Sequence, residues 1–208
     1  MRRALLLLCL GACAPPVVSL RPPPVAPSAR DYDRICARWT RIGRVHAWQE
    51  MDTALLVAAT LRSPEFQQAY AARYLSVYGI ADPAEKERFL AEEQRLSSQG
   101  LRFLIRTAGH NHRWTDLDPH KGYWRIRLLS DDGPEVAPAQ LEQARAQQGL
   151  EMELYRGELA TPFARSFHVT FPAVHPDGRP VVSPAARRLV LRVAGPLGKT
   201  ELVWMLKK

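Results

Sequence analysis

The segment Leu101-Arg102-Phe103-Leu104-Ile105-Arg106 decides the expected fold, because its side chains alternate in character. Leu101, Phe103 and Ile105 are apolar, whereas Arg102 and Arg106 are charged, and a period of two is typical of a β-strand with one buried face. Five later segments alternate in the same way: residues 124–128, 150–154, 167–171, 189–193 and 202–206. We therefore predict six half-buried strands from about residue 101 onward.

Half-buried strands need a partner that covers their apolar faces, and a second sheet can provide it. The connections between the predicted strands contain turn residues, at Asp132-Gly133, Asp177-Gly178 and Gly195-Pro196. Strands at this spacing predict an α+β fold built on a mainly antiparallel β-sandwich, of which the immunoglobulin-like sandwich is one form.

Two helices are predicted before these strands, and we expect them to be an insertion into the sandwich. Ser63-Pro64-Glu65 supplies an N-cap, a proline at the first helical position and an acid in the first turn, which predicts a helix over about 64–78. Asp82-Pro83-Ala84-Glu85 repeats this signal as a capping box and predicts a helix over about 83–98. Gly79 and Gly100 are suited to end the two helices.

The apolar run from Ala54 to Leu61 fits either a buried strand or a helix, since periodicity does not separate the two at this length. We predict a strand over residues 53–61. The residues from Asp31 to Trp39 are compatible with a short helix.

The N-terminus has the residue order of a secretion signal. Arg2 and Arg3 form a positive region, Ala4 to Leu10 is an apolar run too short to span a bilayer, and Leu10-Gly11-Ala12-Cys13 follows directly. These last four residues resemble the lipobox of bacterial lipoprotein precursors. The resemblance implies that residues 1–12 are a signal peptide removed by cleavage, and that acyl chains on Cys13 anchor the product in a membrane.

Two alternatives remain for the N-terminus: an ordinary signal peptide cleaved near Ala14, and a retained anchor helix. Pro15 and Pro16 argue against the anchor helix because they stop the apolar run early. In familiar lipoprotein sorting, an aspartate after the acylated cysteine retains the product in the inner membrane. Ala14 resembles the outer-membrane class instead.

Residues 13–30 contain many prolines and almost no charge. Such a segment favours extended polyproline II at about 3.1 Å per residue, which predicts a tether of roughly 50 Å. A proline-rich ligand for another domain is the alternative interpretation. Residues 31–208 are then expected to form a single globular domain.

Composition and charge limit the partners of this domain. Hydrophobic residues make up 46% of the 208 residues and charged residues 24%, which is typical of a globular protein. The net charge is +8; without Arg2 and Arg3, 27 basic and 21 acidic residues leave +6. Export argues against nucleic acid as a partner, so an envelope protein or an anionic lipid or cell-wall polymer is expected instead.

The stretch from His110 to His120 is the candidate metal site. His110, His112, Asp116, Asp118 and His120 lie within one predicted loop, and imidazole and carboxylate are the usual nitrogen and oxygen ligands of zinc. The spacing matches no established zinc signature, and Arg113 and Lys121 would have to turn away from the ion. An ordinary polar loop is the alternative, since Asp118-Pro119 is common turn chemistry.

We find no catalytic constellation in the sequence. Gly195-Pro196-Leu197-Gly198-Lys199-Thr200 ends like a phosphate-binding loop, but Val193 occupies the position where the first glycine is required and a strand pattern follows. A nucleotide is therefore not expected. Cys36, the one cysteine left after cleavage and acylation, could pair with His46 as nucleophile and base, but no third orienting group is recognisable.

The sequence thus predicts a lipid-anchored envelope lipoprotein with a non-catalytic binding or assembly role and no cofactor. Tyr123 and Tyr155 fall on the polar side of their predicted strands and Trp114 lies in the loop; aromatic residues of this kind anchor protein interfaces. Isolated exposed aromatic residues, or packing beneath the helices, are the alternative. The alternative is a zinc-binding or metal-dependent domain that uses the loop from His110 to His120.

Overall fold

The computed structural model describes residues 15–47, 52–131, 133–144, 150, 155 and 157–207. Cys13 and the rest of the predicted signal peptide lie outside these residues, as do residues 151–154 of the predicted strand at 150–154. The described strands are β1 (Val17–Val18), β2 (Thr40–Ala47), β3 (Asp52–Leu61), β4 (Leu101–Ala108), β5 (Arg125–Ser130), β6 (Gln140–Gln143), β7 (Arg165–Phe171), β8 (Arg188–Gly195) and β9 (Gly198–Leu206). The helices are α1 (Tyr32–Trp39), α2 (Pro64–Val77) and α3 (Pro83–Ser98).

The strands form two sheets with the strand order of an immunoglobulin domain. Sheet A has the order β1-β9-β8-β5, and sheet B has the order β2-β3-β4-β7-β6. Immunoglobulin strands A to G are ordered A-B-E-D in one sheet and C-F-G in the other. Giving β3 to β9 the letters A to G reproduces both orders. The predicted α+β class and the immunoglobulin-like sandwich are therefore confirmed.

Two strands are added to this seven-stranded plan. β2 pairs antiparallel with β3 at the edge of sheet B, and β1 pairs parallel with β9 at the edge of sheet A. The strand predicted over 53–61 is confirmed as β3. The sequence did not predict β1, β2 or β6.

The helices α2 and α3 connect β3 to β4, so the predicted insertion is confirmed. The Ser63 hydroxyl accepts a hydrogen bond from the Phe66 amide at 3.1 Å, and the Asp82 carboxylate accepts one from the Glu85 amide at 3.1 Å. These are the two predicted N-caps. Within the part of the chain that the structure describes, no helix is long and apolar enough to cross a membrane.

The helical pair is held by aromatic and ionic contacts. The rings of Tyr74 in α2 and Phe89 in α3 stack at a centroid distance of 4.4 Å. Arg62 donates to Glu93 at 2.9 Å, and its guanidinium lies 5.0 Å from the ring centroid of Tyr70. The aromatic stripe of α2 therefore serves packing against α1 and α3.

The core lies between the two sheets. Trp204 of β9 contacts Phe103 of β4 at a centroid distance of 5.5 Å, and the Phe103 ring meets Phe171 of β7 edge-on at 5.7 Å. The Trp204 indole N–H donates to the Trp39 carbonyl at 2.9 Å, and both tryptophans are fully buried. One cluster of large side chains thus joins sheet A, sheet B and α1.

The proline-rich segment differs from the predicted tether, because part of it belongs to sheet A. Val17 and Val18 pair with Met205 and Leu206, and the Lys207 amide donates to the Val18 carbonyl at 2.7 Å. Val18 is 3% exposed, whereas Val17 is 61% exposed. The extended backbone of this segment can pair with an open strand edge, and burial of the β-branched Val18 side chain there stabilises a docked strand over a free tether.

Docking of β1 predicts different effects for two adjacent valines. Val18→Ser should lower the free energy of unfolding by about 1–2 kcal/mol, because a buried apolar side chain is replaced by a hydroxyl. Val17→Ser is the matched control and should change the stability by no more than about 0.5 kcal/mol, because this side chain is exposed. Urea unfolding of both variants measures the difference. Equal effects would contradict the docking of β1.

Candidate functional site

Three connections meet at one end of the sandwich, which we call the loop end. It comprises residues 109–124 between β4 and β5, residues 157–164 before β7, and the β8–β9 turn at residues 195–198. A Cβ on Gly195 would lie 2.3 Å from the Tyr123 carbonyl oxygen, and the His112 ring lies 6.4 Å from that of Phe163. The three connections therefore form one continuous surface.

A buried carboxylate lies beneath this surface. Asp116 is 3% exposed and accepts a hydrogen bond from Arg165 at 2.7 Å and another from Lys121. Its second oxygen accepts the Asp118 amide at 3.0 Å. Asp116 thus joins the β4–β5 loop to the start of β7.

The pKa of Asp116 is held below its ordinary value. Burial acts to raise the pKa, but the hydrogen bonds from Lys121 and from the Asp118 amide, together with the charges of Arg165 and Lys121, outweigh it. The carboxylate is therefore ionised at neutral pH, as its two cationic partners require.

Buried and half-buried hydrogen bonds fix the rest of the β4–β5 loop. Thr107 of β4 donates to the Thr115 carbonyl at 2.6 Å, and the Thr115 hydroxyl donates to the His112 carbonyl at 3.0 Å. The Trp124 indole donates to the Trp114 carbonyl at 2.8 Å. The loop is therefore a rigid support for the side chains that it presents to solvent.

Those side chains are aromatic and cationic. The Arg113 guanidinium lies 4.8 Å from the ring centroid of Tyr123 and 5.7 Å from that of Trp114, and the two rings meet edge-on at 5.6 Å. Phe163 is 45% exposed beside His112. Arginine and aromatic residues on a preorganised surface are the residue types that contribute most to protein interfaces.

The five predicted metal ligands take different positions. His110, His112 and His120 are exposed, and His110 lines a cavity of about 320 Å³ together with Arg44 and Glu158. Asp118 caps a short helical turn by accepting the His120 amide at 2.9 Å. Asp116 binds two cationic side chains. Among the described residues, no three His, Cys, Asp or Glu side chains are grouped so that they could hold a metal ion.

The structure also shows where the other residues singled out from the sequence lie. Residues 195–198 connect β8 to β9 as a hairpin turn, with Gly195 opposite Gly198, rather than opening a helix. Cys36 is buried in the core from α1, whereas His46 is exposed on β2. The predicted exposure of Tyr155 is wrong, because its ring packs on the outer face of sheet B and its hydroxyl bonds Thr60 at 2.7 Å.

Sequence analysis missed two residues of the loop end. Arg165 lies 49 positions after Asp116, so no local spacing signals their ion pair. Phe163 precedes β7 in a segment whose apolar residues follow neither the period of a helix nor that of a strand. An isolated phenylalanine between turn residues was the available signal.

Comparisons with known proteins give no assignment. No protein-family model, no curated protein and no solved structure matches this chain.

Loss of the Asp116 charge should destabilise the domain. We expect Asp116→Asn to lower the free energy of unfolding at pH 7 by about 1–3 kcal/mol, because Arg165 and Lys121 lose a buried carboxylate. Asp118→Asn removes the same charge at a less buried position, and we expect no more than about 0.5 kcal/mol for it as the control, because Asn caps a helical turn about as well as Asp.

The effect should depend on pH with a defined sign. The folded pKa of Asp116 is lowered, so its contribution is fully present above the unfolded pKa of about 3.9 and is lost as pH falls through the folded value. The difference between Asp116→Asn and the parent protein should thus shrink on going from pH 7 to below pH 4. Urea unfolding across this range measures it, and a difference that grows at low pH would contradict the assignment.

Proposed function

We propose that this chain is a lipid-anchored lipoprotein of the bacterial cell envelope, and that its domain has a non-catalytic binding role. The observation that carries the proposal is the order Arg2-Arg3, an apolar run to Leu10, and Leu10-Gly11-Ala12-Cys13. In this proposal, residues 1–12 are removed and Cys13 carries the acyl chains. Two or three acyl chains make the membrane association effectively permanent.

The fold supports an anchored arrangement because it begins so soon after Cys13. Val17 is already part of sheet A, and four residues of extended chain span at most about 14 Å. The acylated cysteine would then hold the sandwich close to the membrane surface, rather than roughly 50 Å away as a free polyproline segment would. Ala14 after the cysteine favours the outer membrane as the destination.

The loop end supports the binding role. Its support is rigid, because Asp116 is paired with Arg165 and Lys121 and the loop carbonyls accept buried hydrogen bonds. Its surface combines the exposed Arg113 and Phe163 with the half-buried rings of Trp114 and Tyr123, and aromatic rings bury much area at a small cost in conformational entropy. We propose that this surface binds another protein of the envelope.

The anchor is tested by Cys13→Ala. We expect the parent protein to incorporate labelled palmitate and to fractionate with membranes, because its thiol is the acylation site. The variant should incorporate no label and should leave the membrane fraction. Cys36→Ala, at the buried thiol, is the matched control and should retain both properties. A Cys13→Ala protein that still takes up palmitate would contradict the proposal.

The binding surface is tested by crosslinking in cells. A photoreactive amino acid at Phe163 should give one discrete protein adduct, because Phe163 lies on the proposed contact surface. The same amino acid at exposed Ala91 of α3 should give none. Arg113→Ala should reduce the Phe163 adduct by about tenfold, the loss expected for one interface anchor residue. An equal adduct pattern from both positions would contradict a role for the loop end.

A further inference from the structure

The outer face of sheet A carries a concentration of positive charge. Along β5, β8 and β9, alternate side chains point away from the core, and five of these outward side chains are cationic. We call this surface the basic face; its cations are Arg125, Arg127, Arg188, Arg192 and Lys199. The intervening side chains, such as Ile126, Leu191 and Leu202, are buried in the core.

The strand register brings these cations together. Arg127 is directly opposite Arg192, which is opposite Glu201. Glu201 binds Arg192 at 2.8 Å, and Glu135 binds the same guanidinium. Among the described residues, the basic face and its ion-pair partners thus contain five cations and two carboxylates, a net charge of +3.

An apolar row crosses the same face. Val190 is opposite both Leu129 and Val203, and Met205 is opposite the exposed Val17 of β1. Val190 itself is 4% exposed, so the apolar surface of the basic face lies on the side where β1 enters, at the exposed Val17 and the half-buried Met205, with cationic side chains beside it. This combination is typical of a surface that meets the headgroup region of a bilayer.

The outer face of sheet B differs. Tyr155 and Leu159 pack there against Leu56 and Leu104, and Arg106 donates to the Leu159 carbonyl at 2.8 Å. The protein's own chain covers this face. Among the described residues, the outer face of sheet A carries the exposed Arg125, Arg188 and Lys199, so it is the face with charge to offer a partner.

The proposed acylation of Cys13 indicates which partner the basic face meets. β1 lies directly beside β9, and Cys13 precedes Val17 by four residues, at most about 14 Å of extended chain. The farthest strand of sheet A, β5, is three strand spacings from β1, again about 14 Å. The whole face is thus close enough to the acylated residue to lie on the same membrane.

We propose that the basic face lies against the anionic phospholipid headgroups of the membrane that holds Cys13. This inference rests on the proposed lipid anchor and adds an orientation to it: sheet A faces the bilayer. Because the acyl chains already keep the domain at the membrane, its effective concentration near the headgroups is high, and the cations need only orient it. Their attraction acts within a Debye length of about 8 Å at physiological salt.

The orientation is measured with the acylated mature protein in vesicles. Ala194→Cys places a fluorophore on the basic face, and Ala91→Cys places the same fluorophore on exposed α3 as the matched control. Cys36 is buried and Cys13 is acylated, so the introduced cysteine is the reactive thiol. Quenching by a headgroup nitroxide lipid is compared between phosphatidylcholine vesicles and vesicles that also contain phosphatidylglycerol.

We expect the label at position 194 to be quenched at least about twofold more in the anionic vesicles, and the label at position 91 to be unaffected by lipid composition. Arg125→Glu with Arg127→Glu should abolish the difference, whereas Lys86→Glu with Arg88→Glu on α3 should retain it. If the double variant on β5 fails to fold, raising the salt concentration with the unchanged chain gives the same test, because screening should remove the difference.

The outcomes separate this inference from the anchor on which it rests. An acylated, membrane-bound protein whose two labels respond equally to phosphatidylglycerol overturns the orientation and leaves the anchor intact. A protein that incorporates no palmitate overturns both. Quenching confined to position 194, dependent on anionic lipid and on salt, supports the inference.

Discussion

The structure depends on the burial of Trp204 between the two sheets. Its indole fills the space beside Phe103, and its N–H is satisfied by the Trp39 carbonyl, 165 positions earlier in the chain. A buried indole without this acceptor would lose the hydrogen bonds that it makes to water. One side chain of β9 therefore positions α1, which leads directly into β2, and fixes the edge at which sheet A meets sheet B.

Much of the fold follows from patterns that are local in sequence. The alternation along β4, β8 and β9 predicts half-buried strands because each strand has one face on the core, and the caps at Ser63 and Asp82 predict helix starts because they satisfy free amides nearby. The sequence does not predict β1, because its pairing with β9 is long-range and its neighbours are prolines. The sequence does not predict β2 either, because its outward side chains include both Ile42 and Arg44, so apolar and polar residues do not alternate strictly along this edge strand.

Long-range contacts limit the prediction of the candidate site even more than that of the fold. The histidines and aspartates from His110 to His120 share a loop, and their composition predicts metal ligands, yet Asp116 takes its partner Arg165 from another strand. Sequence spacing reports which residues are close along the chain, whereas an ion pair between loop and sheet is set by the strand order. Alternation in the segment before Tyr155 likewise predicts an outward side chain, whereas Tyr155 is buried and its hydroxyl is hydrogen-bonded to Thr60.

The pairing of β1 with β9 has a consequence for the order of folding. The first and last described strands are neighbours, and β9 also supplies the tryptophan at the centre of the core. The native contacts with the greatest sequence separation thus cannot form before the segment containing β9 has been synthesised. A nascent chain with this topology lacks its central packing until the residues of β9 have been synthesised, so folding of the sandwich depends on its last described strand.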